Sequence, residues 1–196
     1  MVLNVSSSTE GVLFLEAIQK QIRMVDIIAD YFPGKVAIKF EGEKDKLKDA
    51  LEIAKNIHLI IRGMLKQNVK GFFSYDIGFF SKMSGKTVPI KTLMRVLELK
   101  SYETYKESEI LYSKINYKDL IAIIQIIDRT QNKIPYEVAT SSLRDVIVIL
   151  VIINGITTEE AINKLKRGKL VSEDEYKRLN LVVEPEQAIK KCLKIT

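Results

Sequence analysis

A change of hydrophobic period within the first 75 residues constrains this chain more than any other feature. Val25, Ile27, Ala29 and Tyr31 alternate with Asp26, Ile28 and Asp30, and Val36, Ile38 and Phe40 then alternate with Lys35, Ala37 and Lys39. Period two is the signature of strands, and Pro33-Gly34 between the two runs supplies a hairpin turn. On either side the period is helical. Ser7 and Glu10 have capping-box spacing ahead of Val12, Leu15, Ile18, Gln19 and Ile22, and Leu47, Leu51, Ala54, His58, Ile61 and Leu65 form one stripe of a long helix that starts near Asp45. Short strands at 1–5 and 71–75 complete the order β-α-β-β-α-β. That order is the ferredoxin-like split βαβ arrangement, so residues 1–75 are expected to form one antiparallel sheet with two helices on one face.

The next block points to a job. Residues 76–83 read as a short helix, Gly85 as its turn, and Pro89 as the opening of a second helix whose apolar residues Ile90, Leu93, Met94 and Leu97 share a face. Residues 102–115 read as a β-hairpin. Together these elements outline a winged helix-turn-helix over residues 76–116. The second helix carries Lys91, Thr92 and Arg95 on its other face, with Lys82, Lys86 and Thr87 just upstream. A recognition helix uses such positions to reach base edges and phosphates. Lys82, Lys86, Thr87, Lys91 and Arg95 are therefore the candidate nucleic-acid contacts. Glu103, Glu107 and Glu109 on the hairpin oppose them.

Residues 117–196 are read as a mainly helical C-terminal domain. Leu120, Ile121, Ile123, Ile124 and Ile127 mark one helix, Ser142 is placed to cap another that runs through Ile153 to Asn154-Gly155, and Thr157 with Glu160 forms a second capping box. Pro185 opens the last helix. The fold expected overall is α+β, in three parts: 1–75, 76–116 and 117–196.

The net charge of +6 favours a polyanionic partner, but only mildly. Residues 1–70 hold 11 basic and 9 acidic side chains, 71–130 hold 9 and 7, and 131–196 hold 11 and 9, so no arm concentrates charge. The longest apolar run, 146–153, falls far short of the roughly 18 to 20 residues that cross a bilayer, and no secretory leader pattern opens the chain. With one cysteine, Cys192, a cytoplasmic protein is expected. The abundance of Lys, Glu and Ile resembles thermophile usage.

Catalytic chemistry finds little support. Gly85-Lys86-Thr87 has the end of a phosphate-binding P-loop, but the motif needs glycine where Phe80 stands. One His and one Cys cannot assemble a zinc site. Glu173-Asp174-Glu175 is acidic, yet Lys177 and Arg178 beside it indicate ion pairing. His58 lies on an apolar stripe and reads as a core histidine. No catalytic residue, metal ligand or cofactor is assigned. The outer face of the first sheet shows Lys35, Ala37 and Lys39 without rings, which argues against base stacking there and leaves only phosphate contact.

Three segments together resemble an archaeal family catalogued as a domain of unknown function: the β-α-β-β-α opening, the stretch from Tyr75 through Gly85-Lys86-Thr87-Val88-Pro89 to Leu93, and the closing Gly155-Ile156-Thr157-Thr158-Glu159-Glu160-Ala161. The resemblance implies an archaeal cytoplasmic protein and transfers no site residue. Two functions are expected from the residues themselves. The first is a non-enzymatic protein that binds RNA or DNA through the basic helix face. The alternative is an interaction module that docks on a protein assembly, without touching nucleic acid, through its sheet or its apolar C-terminal helices. The oligomeric state is left open.

Overall fold

The computed structural model describes residues 1–85 and 87–193, the side chain of Ser84 excepted. The fold is α+β, and the chain divides into two compact units, 1–87 with 105–117 and 88–104 with 118–196.

The first unit opens with β1 (Val2–Asn4), α1 (Ser8–Gln21), β2 (Asp26–Phe32), β3 (Lys35–Glu41) and α2 (Lys44–Leu65). The hairpin forms where the alternation placed it: Phe32 pairs with Lys35 across Pro33-Gly34, and Gly34 takes φ +80, which a side chain would resist. Both pairings in this sheet are antiparallel, in the order β1-β3-β2. Val36 and Ile38 point into the core while Lys35 and Lys39 stay exposed. Against the inner face pack Phe14, Ala17 and Ile18 of α1 and Ala50, Ala54, Ile57 and Ile61 of α2.

The fourth strand expected in the first sheet joins a second sheet instead. β4 (Phe73–Asp76) pairs antiparallel with β6 (Ile110–Ser113), and with β5 (Thr104–Glu107) they give the order β4-β6-β5. Gly63 of α2 lies against β4, where a Cβ would stand 2.2 Å from the Ser74 hydroxyl oxygen and oblige that side chain to turn away. Tyr75 is buried opposite Leu111, and its hydroxyl donates to the Ile115 carbonyl at 2.6 Å. Between β4 and the hairpin lies α3 (Ile77–Ser84), capped by Asp76 and closed by Gly85 at φ +67.

The second unit holds α4 (Ile90–Leu99), α5 (Tyr117–Gln131) apart from its first residue, α6 (Ser141–Asn154), α7 (Thr158–Arg167), β7 (Val171–Glu173), β8 (Leu179–Leu181) and α8 (Pro185–Leu193). Its centre is α6, with Leu143 and every residue from Val146 to Leu150 buried against α4, α7 and α8. Thr140, not Ser142, caps it, accepting from the Leu143 amide. The capping box of α7 is reciprocal: Thr157 accepts from the Glu160 amide, and the Glu160 carboxylate accepts from the Thr157 amide. In the acidic run Glu173 ends β7 while Asp174 and Glu175 enter the turn to β8, with Asp174 paired to Arg178 at 3.0 Å.

At Ser7 only half a capping box forms. Ser7 accepts from the Glu10 amide, but the Glu10 carboxylate accepts from the amide and hydroxyl of Ser6 and from Nε2 of His58, at 3.1 Å. His58 is thus a core histidine, with its ring edge-on to Phe14. Burial pushes the Glu10 carboxyl up, but the bonds from Ser6 and His58 outweigh it and hold the group below the usual carboxylate value. A lowered folded pKa stabilises above the unfolded value, and that contribution is lost as pH falls through the folded one. Glu10→Gln should therefore be less stable than wild type at neutral pH and lose less on acidification. Unfolding midpoints measured from pH 7 to pH 3 check this, and parallel acid slopes for the two proteins would refute it.

Candidate functional site

The sequence-derived candidates divide between the two units. Lys82 is exposed on α3 of the first unit, where Thr87 is exposed as well, and Lys86 lies outside the described residues. Lys91 and Arg95 belong to α4 of the second unit. Lys91 is exposed, but the rest of that helix face turns toward α6 and α8. The Thr92 hydroxyl, buried, donates to the Asp145 carboxylate at 2.8 Å. The Arg95 guanidinium reaches Glu186 at 2.6 Å and Glu98 at 3.1 Å, and its Nε is shut away without a partner. A cleft of about 220 Å³ runs past these groups, and its two cations, Lys91 and Arg95, face two carboxylates, Asp145 and Glu186. Such a face does not present net positive charge. The apolar stripe of α4 was legible, whereas Asp145 and Glu186 lie 53 and 91 residues from their partners and left no local trace.

On the first unit the structure adds a lysine the sequence did not single out. The Lys20 ammonium, from the last turn of α1, donates to the Met83 carbonyl at 2.8 Å. It therefore sits at the end of α3, one residue beyond Lys82, and both lysines are exposed. A cation at a helix C-terminus is favourably placed against the helix dipole, which accounts for the contact. The fold, not the sequence spacing, brings the end of α1 within reach of the end of α3.

The outer face of the first sheet also differs from expectation. Phe32 lies opposite Lys35, Ile28 opposite Lys39, and Val2 opposite Ala37. Residues directly opposite in an antiparallel pair share a face. Phe32, Ile28 and Val2 are 53%, 52% and 65% exposed, so this face does carry a ring. The signal was available: extending the phase of Ile28 and Asp30 by two positions reaches Phe32. Asp26, Asp30 and Glu41 share the face, with Glu41 paired to Lys39 at 2.5 Å, so both signs of charge frame the apolar residues.

Catalytic geometry is sparse. Among the described residues no three His, Cys, Asp or Glu groups converge as metal ligands. The His58 Nε2 is engaged by Glu10. Cys192 is buried, and burial pushes its thiol pKa up, away from reactivity. No described helix is long and apolar enough to cross a membrane.

No curated protein and no solved structure matches the chain. A family model described as an uncharacterized protein conserved in archaea (DUF2067) matches residues 3–190, and with nearly its whole length covered the chain belongs to that family.

Proposed function

We propose that this is a non-enzymatic nucleic-acid-binding protein, for RNA or DNA, built on a ferredoxin-like first sheet and a winged helix-turn-helix-like frame. The element order supports the frame: strand β4, helix α3, a glycine turn, helix α4 and hairpin β5–β6. The three-strand order β1-β3-β2, with α1 and α2 on one face, supports the ferredoxin-like part. The observation that carries the function is the end of α3, where Lys20 from α1 bonds the Met83 carbonyl, next in the chain to the exposed Lys82. Lys86 and Thr87 follow in the chain. Lys91 and Arg95 contribute less in this reading, because Arg95 is already neutralised by Glu186 and Glu98.

The test is binding of labelled single-stranded and duplex oligonucleotides, RNA and DNA, across a salt series. Removing one phosphate-binding cation should flatten the log–log salt slope by roughly 0.7 for single strands and 0.9 for duplex. The K20A/K82A double variant should bind severalfold more weakly, with a flatter slope and an unchanged melting temperature. Arg95→Ala should do the reverse: it should lower stability slightly, by under about 1 kcal/mol because its partners Glu186 and Glu98 stay exposed to solvent, with little effect on affinity. Binding that ignores salt, or no binding to any of the four oligonucleotides, rejects the function.

The outer sheet face favours a second reading, an interaction module whose partner is a second copy of the chain. On this face Asp26, Asp30 and Glu41 stand beside Lys35 and Lys39, so a second copy across a two-fold axis brings both signs of charge as well as the same apolar residues. Phe32, Ile28 and Val2 would be enclosed. Light scattering across concentration should then show a dimer that Phe32→Asp abolishes, and a monomer at every concentration ends this reading.

A further inference from the structure

We propose that the cleft between α1, α2 and α3 is a nucleotide pocket, which takes a base bearing an exocyclic amino group together with its phosphate. The cavity measures about 340 Å³, within the range of small-ligand sites. Its floor is apolar. Ile53, Ile57 and Ile60 recur at helical spacing on α2, and Phe79 of α3 closes the wall. A flat heterocycle matches such a surface, because its faces need no hydrogen bonds while its edge does.

Four polar side chains surround that floor, and their chemistries differ. Gln21 ends α1 and lines the cleft, and its amide nitrogen, closed to solvent, has no hydrogen-bond partner among the described residues. A buried donor left unpaired is destabilising, so an acceptor on a ligand, met when the Gln21 amide turns toward the cleft, would relieve that cost. Asp76 accepts from the Phe79 amide through one carboxylate oxygen at 2.7 Å, and its carboxylate lines the cleft as an acceptor. Asn56 offers both a donor and an acceptor from α2. Lys82 supplies the cation, with Lys20 at the adjoining end of α3.

A ligand that satisfies this set has an acceptor for Gln21, a donor for Asp76, a planar apolar body and an anion for Lys82. A nucleobase edge carries ring acceptors beside an amino group, and its phosphate supplies the anion. An aromatic carboxylic acid lacks the donor, and inorganic phosphate lacks the plate. Polarity sets the direction. A shallower depression shares Ile53 and Asn56 with the cleft and is lined by Asp49 and Glu52, so its carboxylates repel phosphate toward the Lys82 end. The nucleotide is either free or an unpaired residue of a strand, and only this choice of source rests on the nucleic-acid reading.

Calorimetric titration with AMP, CMP, adenosine and inorganic phosphate, followed by single-stranded and duplex oligonucleotides, tests the pocket. At least one nucleotide should bind, adenosine should bind more weakly than AMP, and phosphate alone should not displace the nucleotide. Gln21→Leu should lower nucleotide affinity at least tenfold while raising the melting temperature, because the unpaired amide is gone. Asn56→Ala, at an exposed position that leaves folding intact, should weaken binding severalfold. Lys82→Ala should weaken AMP and leave adenosine unchanged. Mononucleotide binding without strand binding identifies a free ligand, whereas strands that bind and are weakened by Gln21→Leu identify an unpaired residue. No heat with AMP or CMP at millimolar concentration, or affinity indifferent to both Gln21→Leu and Asn56→Ala, overturns the pocket. Strands that bind without regard to Gln21 overturn it too, while leaving the nucleic-acid reading intact.

Discussion

The pairing of β4 with β6 governs how this chain is divided. Phe73 and Ser113 are partners in one ladder, so the polypeptide must leave the first unit, build α4 and return before that sheet can close. Tyr75 concentrates the constraint in one residue. Its hydroxyl is held by the Ile115 carbonyl, and its ring lies 5.8 Å from Phe80 of α3 and 6.2 Å from Phe73. A tyrosine buried this deeply stabilises through its ring only if the hydroxyl finds a partner, and here the partner comes from the returning segment. The consequence reaches the function. α3 and α4, neighbours across a glycine turn, fall in different units, so the basic residues that look continuous in sequence are divided between two separately packed bodies.

What was legible in the sequence was whatever a local period or cap could specify. The β2–β3 hairpin, the apolar stripe of α2, the buried run of α6 and the reciprocal cap at Thr157 and Glu160 each depend on residues a few positions apart. Pairing between distant strands carries no such trace. β4 reads equally well as the fourth strand of the first sheet, whereas in the fold it pairs with β6 and the Tyr75 hydroxyl bonds the Ile115 carbonyl. The same limit applies to charge. Ser7 and Glu10 have capping-box spacing, yet Ser6 and His58 draw the carboxylate away from the Ser7 amide. Phe32 is a different case, since its outward phase followed from the alternation and the strand was read one residue short.

Arg95 shows why counting basic residues overstates what a polyanion can use. A surface guanidinium is free to leave a weak ion pair for a phosphate, but Arg95 is about three-quarters buried, held by Glu186 at 2.6 Å and by Glu98, beside a hydroxyl that Asp145 already engages. Moving it to a phosphate would break both ion pairs, and that loss offsets part of the new interaction. Lys20 faces the opposite balance. Its bond is to the neutral carbonyl of Met83, and it stays exposed. With charge spread evenly along the chain, such differences in commitment decide where a phosphate can be held. They favour the end of α3, beside the one cleft of the first unit in which a buried amide donor lacks an acceptor among the described residues.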